Sequence, residues 1–201
     1  MNPSVELPEL TVAAARWAAL RQQVAQVQTW LAAEAARAAD EALAYRLRVL
    51  AAVTARLGRF AEQHLQFFLD PAYAAPAGYT PAYAVTLALR QVGWDLEAIQ
   101  QAASQRLKAV PGSTEQATLD IADKLARRAL ARAQAAGLGV GATALTYFQK
   151  SPFIAGLPYA PAALIGFSFS ATAVKRDLLA LPHEVGHYGF WNTPAGAAFA
   201  R

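Results

Sequence analysis

The chain has 201 residues and carries 18 Lys and Arg against 14 Asp and Glu, for a formal net charge of +4. That length suits one domain, or two small ones, with enough chain to bury a core. The basic residues are scattered (Arg127, Arg128 and Arg132; Lys175 and Arg176) with no interleaved aromatics, so no nucleic-acid partner is expected; with no cysteine there are no disulfides and no thiolate metal site.

Hydrophobic residues make up 55% of the chain and charged ones 16%, an apolar balance. About a quarter of the residues are alanine, which favours helices. The N-terminus, Met1-Asn2-Pro3-Ser4-Val5-Glu6-Leu7, lacks a basic segment followed by an apolar one, so no secretory signal is expected and residence is cytoplasmic by default.

Apolar residues recur at Leu10, Ala13, Trp17, Leu20, Val24, Val27 and Leu31, spacings of three and four that make a packing helix. A second seam runs through Leu43, Leu47, Leu50, Thr54, Leu57, Ala61, His64 and Phe68. Asp40 lies between the two as a capping residue for a new helix, so residues 1–70 form an antiparallel hairpin. His64 stands where the seam wants an apolar side chain. Either a main-chain carbonyl satisfies it at the edge of the core, or it is a ligand brought in from the hairpin.

Residues 70–83, rich in Pro, Ala, Tyr and Gly, are a loop and the clearest hinge. Thr80-Pro81 caps a helix running to about Val92, where Gly93 breaks it. A further helix from about Asp95 to Lys108 stops before Pro111-Gly112. Ser113 and Gln116 make a capping box for a helix to about Ala136, with Ala117, Ile121, Leu125 and Leu130 as its apolar face. Gly137, Gly139 and Gly141 end it.

Beyond Gly141 the composition changes. Residues 143–149 and 163–170 are rich in Thr, Tyr, Phe and Ile between Pro and Gly, and read as strands. Residues 151–174 carry no charge over a length that would span a bilayer. Pro152, Pro158 and Pro161 favour a buried sheet instead, with membrane association kept as the alternative.

Lys175-Arg176-Asp177 then leads into Leu181-Pro182-His183-Glu184-Val185-Gly186-His187-Tyr188. His183 and His187, four apart, lie one turn apart on the same helix face. Two neutral imidazoles in that arrangement can hold zinc. Glu184 beside them can take a proton from an attacking water and pass it to a leaving amine. Pro182 fits if the helix starts near Leu181, where its missing N–H is harmless.

This motif resembles that of the zincin metallopeptidases, and the order of backing helix, short sheet and metal helix over residues 113–192 is similar to the first half of their catalytic domain. The resemblance implies an α+β fold, mainly α with a small sheet. An N-terminal hairpin or bundle (1–70) would precede a partial zincin-like subdomain (80–201) ending in the metal helix, or the whole would form one compact domain. It implies a zinc cofactor on His183 and His187, Glu184 as catalytic base, and a peptide or protein substrate. It also implies that the 163–170 strand pairs with extended substrate. A catalytic zinc takes three protein ligands. The family's downstream ligand has no counterpart, since Phe190 and Thr193 occupy the spaced positions and no acidic residue follows Glu184. His64 is then the third-ligand candidate, and the chain reads as a fragment or an inactive relative. The competing expectation is a non-catalytic helical interaction module, using residues 10–68 to pack on a helical partner or a second copy, or a membrane-associated subunit of a larger assembly.

Overall fold

The computed structural model describes residues 3–70, 80–137, 143–150, 153–155, 160, 162–191 and 193. Helix α1 (Pro3–Arg37) and helix α2 (Glu41–Leu69) form the hairpin. Asp40 caps α2, its carboxylate accepting from the N–H groups of Ala42 and Leu43 at 3.1 and 3.2 Å. The middle of each expected seam is buried, with Val24, Val27 and Leu31 from α1 facing Leu47, Leu50 and Leu57 from α2, while Trp17, Leu20 and Leu43 are half-buried. Thr54, fully buried, donates its hydroxyl to the Leu50 carbonyl. That bond removes the cost of hiding a polar group.

The α2 seam departs from expectation at its end. After Ala61 the buried position is Leu65, and His64 is exposed. A straight helix turns every 3.6 residues, so its buried stripe drifts off a strict seven-residue repeat. A further four-residue step to Leu65 follows that drift and leaves His64 outside.

Helix α3 (Pro81–Lys108) begins at a Thr80 cap, whose hydroxyl accepts from the Tyr83 N–H at 3.1 Å. Gly93 does not break it. Glycine costs a helix about 1 kcal/mol relative to alanine, and here Val92, Leu96, Ile99, Ala102 and Ala103 bury their side chains against the hairpin around it. The 71–79 part of the expected hinge lies outside the described residues.

Helix α4 (Thr114–Ala135) has the Ser113 cap, and the Gln116 side chain accepts from the Gly112 N–H. Its C-terminus turns at Gly137, with φ 76°, a left-handed conformation natural to glycine; Gly139 and Gly141 lie outside the described residues. Its buried face is Thr118, Leu119, Ala122, Asp123, Ala126 and Leu130, whereas Ile121 is 41% exposed. The apolar pattern mis-set this helix because two of its fully buried positions hold polar side chains, Thr118 and Asp123.

Strands β1 (Thr143–Gln149), β2 (Phe153–Ala155) and β3 (Ala162–Ser168) form a sheet of order β1-β3-β2. β1 runs parallel to β3 in the register Thr143↔Ala162 to Gln149↔Ser168, and β2 runs antiparallel to it. Two short 3-10 turns, 169–172 and 175–179, lead to helix α5 (Ala180–Trp191). The uncharged 151–174 stretch is therefore strand and turn where it is described. Among the described residues no helix is long and apolar enough to cross a membrane.

Alternation along the strands sorts the core into two faces. Leu145, Tyr147, Ala162 and Leu164 pack against α1, α2 and α3. Ala144, Phe148, Ala163, Ile165 and Phe167 pack against α4 and α5. A sheet covered on both faces needs nearly continuous apolar strands, and β3 is buried from Ala162 through Phe167.

Candidate metal centre

α5 is anchored by one stripe. Leu181, Val185 and Tyr188 are buried in the core shared with α4 and the sheet, at the spacing of one helix face. Tyr188 donates its hydroxyl to the Ala160 carbonyl at 2.9 Å, and burial pushes its phenol above the usual range. The helix begins at Ala180, which puts Pro182 in its first turn, where the proline leaves no hydrogen bond missing.

The opposite face carries the motif. His183 and His187 are exposed, their rings at 85° with centroids 4.6 Å apart and their Nε2 atoms 3.1 Å apart. One of these nitrogens carries the proton that the other accepts. Two imidazole nitrogens each about 2.0–2.1 Å from a tetrahedral zinc would stand about 3.3 Å apart. The pair thus sits close to the separation that zinc demands. Glu184, half-buried, follows His183 on the same helix. A Cβ on Gly186 would meet nothing within 4 Å, so the helix surface flanking the pair is open at that position.

The third ligand does not join them. Among the described residues, no group of three or more His, Asp or Glu side chains could hold a metal. His64 lies on α2, where its Nδ1 contacts the Phe60 carbonyl at 3.2 Å and its ring stacks on Phe60 at 3.8 Å. It is the carbonyl-satisfied histidine of the two readings. Thr193 is buried and donates to the Phe190 carbonyl. The residues present therefore fit two-thirds of a catalytic zinc site: two donors at the right separation with a carboxylate alongside.

β3 cannot offer an edge to an extended substrate along its length. It is the middle strand, with β1 paired on one side throughout and β2 on the other at Leu164, Ile165 and Gly166. Among the described strands the edges belong to β1 and β2.

What the sequence did not signal is the polar core behind α5. Asp123 accepts from Arg106 Nη2 at 2.9 and 3.2 Å, from Arg46 Nε at 2.9 Å, and from the Thr146 amide and hydroxyl at 2.9 and 2.8 Å. Arg46 also reaches Asp120 at 2.7 Å. This network ties α2, α3 and β1 to α4, the helix against which α5 rests. Apolar spacing could not point to it, because Asp123 lies off the expected face of Ala117, Ile121, Leu125 and Leu130 and on the observed one.

Comparison with family models, with curated proteins and with solved structures found no match for the chain.

Proposed function

We propose that the chain is a zinc-dependent hydrolase of metallopeptidase type, with the α5 motif as its centre. The observation that supports this most directly is the 3.1 Å approach of the two Nε2 atoms on an exposed helix face. His183 and His187 would hold the ion. A bound zinc ion supplies Lewis acidity toward a scissile carbonyl. Glu184 takes a proton from the attacking water and delivers it to the leaving amine. The buried stripe of Leu181, Val185 and Tyr188 fixes the helix so that the two rings stay aligned.

The test is elemental analysis joined to a peptide-hydrolysis assay. The parent and Glu184→Gln should each carry about one zinc, and the His183→Ala/His187→Ala protein none. Glu184→Gln should lose hydrolysis by about 10²-fold or more. Zinc retained in the double histidine variant would overturn the site. Zinc with no turnover by the parent would make the chain the inactive relative that its two-histidine ligand set also fits.

A second reading, a non-catalytic helical interaction module, draws on a different observation. An apolar groove between α2 and α3 is lined by Phe60, His64, Phe68, Tyr83, Leu87 and Trp94, and Trp94 is 65% exposed. Tyr83 and Leu87 are exposed beside it, and an exposed apolar patch of this kind marks a protein contact. This reading predicts a dimer in solution that Leu87→Glu dissolves, with no zinc in either protein.

A further inference from the structure

On the face of the sheet away from α5, a cavity of about 530 Å³ opens between α3 and β1. Gln91, Trp94, Asp95, Glu97 and Gln101 line it from the helix, and Tyr147 and Gln149 from the strand. Its volume falls within the usual span of small-molecule sites, roughly 300–1,000 Å³.

Tyr147 is only 2% exposed. Its hydroxyl nevertheless forms no hydrogen bond with any described residue, and it is not among the polar atoms sealed inside the protein. A buried phenol ordinarily finds a partner. One that lines a cavity without a partner is positioned for whatever occupies that cavity. Burial, then the nearby charges of Asp95 and Glu97, push the phenol up to about 12, so it stays neutral and keeps both a lone pair and a proton to offer.

The remaining walls set the sign of the occupant. Asp95 is 3% exposed, and its Oδ1 accepts from Gln91 at 2.8 Å. Glu97 is exposed at the rim and Trp94 presents its indole at the mouth. Two carboxylates repel anions, and an indole face attracts cations. Oxygen acceptors on the walls favour a cation that carries N–H donors.

We propose that this cavity binds the primary ammonium group of a small organic amine, held by Glu97 and the Tyr147 hydroxyl with Trp94 over it and the Asp95 charge behind. The proposal does not depend on zinc at α5.

The test is calorimetric titration of the full chain with putrescine, with an Nα-acetyl-lysine amide, and with tetramethylammonium, which has no N–H. Putrescine should bind saturably at one site, and tetramethylammonium at least tenfold more weakly. Glu97→Gln and Tyr147→Phe should each weaken putrescine about tenfold, with thermal unfolding confirming that both are folded. Glu97 is exposed, so its substitution leaves the fold intact even if Tyr147→Phe does not. The zinc content of both variants should equal that of the parent, which separates this site from the histidine pair. Saturation by the lysine analogue alone would keep the ammonium group and assign it to a peptide side chain. Absence of saturable binding by either amine, or binding that survives both substitutions, would overturn the proposal.

Discussion

Asp123 has no exposure and faces two guanidinium groups. Breaking a buried ion pair by removing one partner leaves the other charge stranded, at a cost of about 3–5 kcal/mol. Asp123→Ala should therefore lower stability by about that amount in urea denaturation, far more than its loss of volume would suggest. Tyr147 makes a different demand. Its phenol is held above its ordinary value of 10.0, up to about 12, so the fold favours the neutral form. That contribution is complete below about pH 10 and is lost as pH rises toward 12. Tyr147→Phe should show a shallower alkaline loss of stability; Tyr188, also raised by burial, maintains part of the slope. His64→Ala should leave zinc content unchanged, because His64 contacts Phe60 and not the α5 pair. Of these residues, the motif pair could be read directly, since a helix alone fixes the distance between positions four apart. Asp123 could not, because its partners Arg46 and Thr146 are distant in sequence, at separations of 77 and 23 residues.

At the scale of elements, the caps at Asp40, Thr80 and Ser113 were legible because each is a local hydrogen bond between a side chain and the next turn. The first strand was legible too, its Thr, Tyr and Phe being side chains that suit a pleated surface. Gly93 was misleading, since tertiary burial outweighs a propensity penalty of about 1 kcal/mol. A Cβ there would meet nothing within 4 Å. Gly93→Ala should accordingly stabilise α3 by about 1 kcal/mol, read as a rise in the denaturation midpoint at unchanged slope. Gly166 is the contrary case. A Cβ on it would lie 2.2 Å from the Gln149 side chain, so Gly166→Ala must swing Gln149 out of its place in the cavity wall.

At the scale of the molecule, the sequence suggested a hairpin followed by a subdomain, or one compact domain overall, mainly helical with a small sheet. The coarse class is seen. Yet the first core joins the hairpin residues Leu31, Leu47 and Leu57 to Leu145 and Leu164 of the sheet. Sheet order is a long-range property, and β3 inserting between β1 and β2 could not be read from strand positions alone. Because one apolar cluster crosses from the hairpin to the sheet, calorimetric and spectroscopic unfolding should coincide in a single transition. Two resolved transitions would show that the layers melt apart.

The charge network also orders events in time. Arg46 leaves the ribosome 74 and 77 residues before Asp120 and Asp123, so the nascent hairpin must carry an uncompensated guanidinium at the place where α4 will dock. A cation of that kind keeps its hydration shell until a carboxylate replaces it. The arrival of α4 neutralises it and displaces that water before β1 and α5 are added, so the rate of α4 docking should depend on ionic strength.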